Sequence, residues 1–407
     1  MKFSIKAGDL IVGLQKTGTT VDTKDLNLGT NGVLFDVYAG ETNYLYLYST
    51  DMLGETVVKL NANIEESGQV VLDPVYIQAL LLHRNPDELV NFSLVKSKVD
   101  GKPIQIKIKI GKNTSHIGYS IKGVETLVKR MKTIPFKNEV SYNLDGKYLT
   151  SAVKKLSFCT TGEGDQTKYI LNGIALKSTS SSISFTATNG LIAARYLIVK
   201  SGVKKDSFII VPVRSFSFIN KLVNKDKPVD IINTDNKLYL KINDNVVFGT
   251  NLLTGKYPAI DSVLNDYVNY QWVSVNKEEF KQVLDRMSVF DSKRRLQLEF
   301  TSEVLKISVH GSDGSSVNAS DEIALDKKKL SEDIDYIVSV NLDYVHNILN
   351  VLTNKEVIIG VKDFSKSSAG QQVMFLENEL APVEKDEPEG KQVIKSSLLY
   401  TMMPIGN

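Results

Sequence analysis

NKEEFKQVLDRM (276–287) places four apolar residues, Phe280, Val283, Leu284 and Met287, at the spacing of one helical face. Asn276 followed by Glu279 is a capping-box-like start, with Asn where Ser or Thr is usual. The pattern returns five times. NLDYVHNILNVL (341–352) repeats the stripe with Val345, Ile348, Leu349 and Leu352, and PVRSFSFINKLV (212–223) with Phe216, Ile219, Leu222 and Val223. GKYLTSAVKKLSF (146–158) carries Leu149, Ala152, Val153 and Leu156, and DPVYIQALLLHR (73–84) enters through Asp73-Pro74 and carries Ile77, Leu80 and Leu81. The weakest, KAGDLIVGLQK (6–16), has Leu10, Ile11 and Leu14. Pro212, like Pro74, suits a helix start, where its missing N–H costs nothing.

These helices begin near residues 6, 73, 147, 212, 276 and 341, a repeat of about 64–74 residues. Between them the apolar period changes to two. IQIKIKI (104–110), SISFTAT (182–188), KLYLKIN (237–243), RLQLEFT (295–301), VLKISVH (304–310) and QVMFLEN (372–378) alternate apolar and polar residues, as half-buried antiparallel strands do. Each unit is one helix followed by several strands. Two units make a domain of ordinary size, so the chain reads as three similar α+β domains: 1–136, 137–268 and 269–407. The unit is too long for a simple solenoid and has the wrong element order for a propeller blade.

Composition agrees with a globular protein: 407 residues, 42% hydrophobic, 24% charged, with a net charge of +2. That charge argues neither for nor against nucleic acid; only its distribution can. The single cysteine, Cys159, rules out an intrachain disulfide, suits a reducing cytosol, and reads as a small core residue. No run approaches the roughly 20 apolar residues of a membrane helix. The start, MKFSIKAGDLIVGL, lacks the apolar stretch and cleavage site of a signal peptide.

Catalytic patterns are missing. His83, His116, His310 and His346 fall singly, without HExxH spacing or a cysteine cluster, so no metal or other cofactor is expected. GEGDQTK (162–168) ends in Lys but lacks the Walker spacing, and GSDGSS (311–316) is hairpin chemistry. His310 and Asp313 are the nearest thing to a catalytic pair, and no nucleophile motif accompanies them.

KYILNGIAL (168–176), FTATNGLIA (185–193), FIIVPVRSF (208–216), TGKYPAIDSVL (254–264) and the closing YTMMPIGN (400–407) follow one another in an order and spacing that resembles the bacterial DNA polymerase III beta subunit, the sliding-clamp family. The resemblance is strong over 145–265 and at the end, and weak between 20 and 140. It implies clamp-type domains, each with two helices on antiparallel sheets. It further implies a head-to-tail homodimer closed into a ring around duplex DNA. The function implied is that of a processivity factor, which tethers the replicative polymerase, catalyses nothing, and needs an ATP-driven loader, all in the cytoplasm.

The resemblance also assigns sites. Partner peptides are expected in an apolar pocket formed by Leu171, Thr188, Gly190, Leu191, Ile192, Pro258, Val263, Met403 and Pro404. Met402 and Met403 should alternate across the last strand, with Met403 in the pocket. The residues expected to face DNA are Lys16, Arg84, Lys154, Lys155, Lys168, Tyr169, Lys221, Lys225 and Lys281; Tyr169 reads equally as a strand residue facing the core. Ile117 and Tyr119, with Val289 and Phe290, match the two halves of the dimer interface.

Two departures stand out. Where the family commonly reads Asp-Gly-His-Arg-Leu after the threonine, this chain has Asn189-Gly190-Leu191-Ile192-Ala193, so two polar rim residues have become aliphatic. NELAPVEKDEPEGKQVIKS (378–396) is an insertion rich in Pro, Glu and Lys, read as a surface loop. Both mark a divergent member and suit a phage-encoded one, although the sequence does not decide between cell and virus. The reading from another class is a repetitive α+β scaffold or virion-type structural protein without DNA; a hydrolase with an unrecognised site comes third.

Overall fold

The computed structural model describes residues 1–22, 24, 30–41, 43–96, 103–121, 123–135, 140–162, 168–265, 270–290, 295–301, 303–310, 318–325, 336–362, 372–377 and 398–403. Among these, all six expected helices are present: α1 (Ala7–Thr17), α2 (Pro74–Leu81), α4 (Gly146–Leu156), α5 (Val213–Leu222), α7 (Lys277–Met287) and α8 (Leu342–Val351). Two short ones join them, α3 (Val124–Met131) and α6 (Asp261–Leu264). Three helices carry side-chain N-caps, two of them at the Asn276 and Asp73 read from the sequence. Asn276 Oδ1 accepts from the Glu279 amide at 3.0 Å, Asp73 Oδ1 from Val75 at 2.8 Å, and Asn341 Oδ1 from Asp343 at 2.8 Å. The stripe of α7 is buried throughout, at Phe280, Val283, Leu284 and Met287.

The chain divides into two compact units, Met1–Thr150 with Arg214–Leu252, and Ser151–Val213 with Leu253–Asn407. The first holds a five-stranded sheet in the order Asn63–Glu66, Lys2–Lys6, Leu89–Lys96, Pro103–Ile110, Asn113–Ile117. It also holds an eight-stranded sheet in the order Gly68–Leu72, Val33–Tyr38, Tyr44–Thr50, Gly54–Leu60, Val246–Asn251, Lys237–Asn243, Pro228–Asn233, Tyr142–Asp145.

The second unit has an eight-stranded sheet of the same design: Ser207–Pro212, Gly173–Ser178, Ser182–Thr188, Ile192–Val199, Leu398–Met402, Val373–Leu376, Glu356–Lys362, Tyr270–Asn276. Its other sheet runs Asn318–Ala324, Val304–His310, Arg295–Phe300, Tyr336–Asn341. Every pairing in the four sheets is antiparallel, as the period-two alternation requires.

The two eight-stranded sheets explain why the units cut across sequence order. Each is two four-stranded halves joined edge to edge, at Gly54–Leu60 against Val246–Asn251 in one and Ile192–Val199 against Leu398–Met402 in the other. The middle of the chain therefore gives four strands to each sheet. Cys159 is fully buried, and burial pushes its thiol well above the usual range, in keeping with a core residue.

Candidate functional site

The last described strand is paired on both sides. Leu398–Met402 lies between Ile192–Val199 and Val373–Leu376, with Leu399 opposite Arg195 and Leu376. Alternation turns Met402 into the core at 1% exposure and leaves Met403 at 45%. The Met403 amide donates to the Leu191 carbonyl at 2.8 Å, which ties the chain beside the turn that follows Thr188.

That turn is built by its own side chains. Thr188 Oγ1 accepts from the Gly190 amide (3.1 Å) and donates to the Ile192 carbonyl (2.8 Å). Asn189 Oδ1 accepts from the amides of Leu191 (2.9 Å) and Ile192 (3.0 Å). Gly190 has φ +92°, the left-handed region that a side chain rarely adopts. The turn thus holds Leu191 out at 59% exposure and Ile192 in at 1%.

Between this turn, the short 3-10 turn Tyr169–Asn172, the segment around α6 and the last strand lies a cavity of about 160 Å³. Its lining is Leu171, Thr188, Gly190, Leu191, Ile192, Ala193, Pro258, Ile260, Val263, Thr401 and Met403. No titratable side chain is among them. Tyr257 anchors the segment before α6: its buried hydroxyl lies 3.3 Å from the Gly173 carbonyl, and burial pushes the phenol far up. Leu264 and Ile260 pack on Ala193 and Leu399 beneath.

Eight of the nine residues expected in a peptide pocket therefore line one cavity; the ninth, Pro404, lies outside the described residues, as does the 378–396 insertion. Ala193, Ile260 and Thr401 line it too and were not among them. Thr401 was legible in principle, because it stands two residues before Met403 on the same face of a strand.

The other expected positions are scattered by environment. Lys154, Lys168, Lys221 and Lys225 are exposed, and Arg84 and Lys281 are partly so. Lys16 is half-buried, and burial, then neighbouring Lys227, holds its ammonium below the usual range. Lys155 is more enclosed than the others. Its side chain is 13% exposed, and its ammonium lies 2.9 Å from Glu377 Oε2 and 4.5 Å above the Tyr196 ring. Tyr169 is half exposed, and its hydroxyl donates to the Thr254 carbonyl at 2.6 Å. Ile117 ends the edge strand of the five-stranded sheet and Tyr119 follows it, both partly exposed. Val289 and Phe290 follow α7 at 81% and 45% exposure. The His310 side chain and Asp313 lie outside the described residues. Among the described residues no group of three or more His, Cys, Asp or Glu could hold a metal ion, and no helix is long and apolar enough to cross a membrane.

Comparison with known proteins bears on this geometry directly. Residues 143–259, which supply most of the cavity, match the family model of the DNA polymerase III beta subunit, central domain. The chain is homologous to beta sliding clamps. It is 25% identical over 299 residues to the beta sliding clamp of Mycoplasma capricolum, covering 72% of this chain and 73% of that one. With the beta sliding clamp of Buchnera aphidicola the identity is 23% over 383 residues, covering 90% and 94%. The fold matches over the full length of both chains a putative DNA polymerase III beta subunit from Eubacterium rectale (TM-score 0.79, 17% identity). It likewise matches a sliding clamp from Pseudomonas aeruginosa solved with griselimycin (TM-score 0.76, 18% identity, 100% of each chain).

Proposed function

We propose that this chain is a DNA sliding clamp, the processivity factor of a replicative polymerase. The observation that carries the reading is the cavity: in a chain with the clamp fold, Leu171, Thr188, Leu191, Val263 and Met403 converge on an apolar recess suited to a short extended peptide. In this proposal the chain has three domains, 1–136, 137–268 and 269–407. It pairs head to tail through Ile117 and Tyr119 on one side and Val289 and Phe290 on the other. The ring encloses duplex DNA in the cytoplasm. Lys16, Arg84, Lys154, Lys168, Tyr169, Lys221, Lys225 and Lys281 face the phosphates, whose contacts carry no sequence information and so permit sliding. Polymerase and loader compete for the cavity through peptide segments. The protein performs no chemistry of its own. Identities of 23–28% to bacterial clamps and the aliphatic rim support a divergent member.

The test is fluorescence anisotropy with a labelled glutamine-led peptide, Gln-Leu-Ala-Leu-Leu. Leu191→Asp puts a charge on an exposed rim position, so it should leave folding intact and weaken binding at least tenfold. Equal binding by this variant removes the cavity from the proposal.

A further inference from the structure

A second cleft lies in the first unit, on the face of its eight-stranded sheet that α3 packs against. Along Val33–Tyr38 side chains alternate between faces, and Phe35 turns away toward Phe3 and Phe92. Asp36 therefore faces the other way, directly opposite Tyr46 on one neighbouring strand and Gln69 on the other. Tyr38 and Tyr44 pair on that same face, and the Tyr44 ring lies 4.9 Å from each of Tyr38 and Tyr46. Asp36, Tyr44, Tyr46, Met131, Lys132 and Ile134 line a cleft of about 220 Å³. Pockets for whole small molecules run from about 300 to 1,000 Å³, so this one suits a single side chain.

Asp36 sets its charge. The residue is 2% exposed, and its Oδ1 accepts from Gln69 Nε2 at 2.7 Å. Oδ2 has no hydrogen bond among the described residues, yet it is not one of the atoms sealed from solvent. Burial holds the carboxyl above its usual range although Gln69 and Lys132 pull the other way. Burial first, then the Asp36 charge, also lifts the Tyr44 and Tyr46 phenols. The field of the carboxylate thus reaches the rings that wall the cleft. Lys132 is exposed at the rim and forms no ion pair with Asp36.

We propose that this cleft binds a cationic side chain, the guanidinium of an arginine on a partner peptide. Ring faces attract cations, and a planar guanidinium stacks on tyrosine where a compact ammonium cannot. The buried carboxylate adds its attraction through a poorly screened interior and needs no direct contact to do so. Met131 and Ile134, part of the buried cluster beneath, receive the methylene stem. An anion would meet the Asp36 charge, which disfavours phosphate groups and so nucleic acid. The site is independent of the apolar cavity in the second unit and of the clamp reading.

Saturation-transfer NMR on the full chain measures Kd for two peptides, acetyl-Gly-Arg-Gly-amide and its analogue with citrulline, the neutral isostere of arginine. On the unaltered chain the arginine peptide should bind about tenfold tighter. In Asp36→Asn, which keeps an oxygen for Gln69, the two should bind within about twofold of each other. Tyr44→Leu, at a partly exposed position, should weaken the arginine peptide several-fold, and Lys132→Met should strengthen it by removing a like charge. Urea curves check that each variant is folded; either Asp36→Asn or Tyr44→Leu suffices should the other not fold. Equal binding of the two peptides by the unaltered chain, no binding at all, or an arginine preference undiminished in the folded variants overturns the inference.

Discussion

Glu55 and Ala193 occupy the same position in two sheets of one topology. Glu55 pairs with Thr50 and Gly249, and Ala193 pairs with Thr188 and Thr401. The turns beside them are built alike. Thr50 Oγ1 donates to the Gly54 carbonyl and accepts from the Met52 amide, as Thr188 does with Ile192 and Gly190. Met52 and Gly190 both have positive φ, at 72° and 92°. Where Ala193 leaves room for a cavity, Glu55 fills the space with a buried ion cluster. Its carboxylate accepts from Tyr48 (2.9 Å) and Lys237 (2.5 Å), with Arg130 of α3 at 4.0 Å. In this repeated framework Glu55 and Tyr239 stand where the second unit has Ala193 and Met374.

That cluster predicts a stability effect. Glu55 is 2% exposed, so Glu55→Ala strands two cations around an apolar gap and should cost about 3–5 kcal/mol. Urea unfolding checks it; a loss below about 1 kcal/mol would mean the cluster relaxes into solvent.

The same cluster predicts a pH dependence. Burial, then the Glu55 charge, raises the Tyr239 phenol from 10.0 to about 12. The folded state therefore holds this proton more tightly than the unfolded chain. The stabilisation is fully present below pH 10 and is lost as pH rises through 12. Tyr239→Phe should show a shallower fall in unfolding free energy across that interval; an unchanged slope would contradict it.

The two methionines of the last strand should separate core from site. Met402→Ala removes a fully buried side chain and should cost about 2–5 kcal/mol. Met403→Ala should change stability by no more than about 0.5 kcal/mol while weakening peptide binding. Paired urea curves and peptide titrations decide it; equal destabilisation by both would put Met403 in the core.

Lys221, Lys225 and Lys281 should act together on DNA. Reversing all three to Glu should lower clamp-dependent primer extension, and the loss should be greatest at low salt and shrink as salt rises, because screening weakens the same phosphate contacts in the unaltered chain. Undiminished extension at every salt concentration would move these lysines off the DNA path.

The helices were legible because each carries its own period, and two also carry a start signal that the structure uses as a cap, Asn276 and Asp73. The short α3 was passed over although Leu127, Val128 and Met131 form a stripe, since its eight residues follow a glycine, Gly123, which offers no side-chain cap. The surroundings of Lys155 were not legible for a related reason. A helical period shows which face is apolar, but its partner Glu377 is 222 residues away, beyond any local pattern. Eight residues of the cavity could be named from the resemblance. Thr401 was not among them, although its place two residues before Met403 on one strand face made it legible in principle.

The most direct test of the central claim is small-angle X-ray scattering behind a sizing column, with mass measured on the same peak. The account predicts twice the 45.2 kDa chain mass and the distance distribution of a hollow disc. A compact monomer that persists at tenfold higher concentration would contradict it.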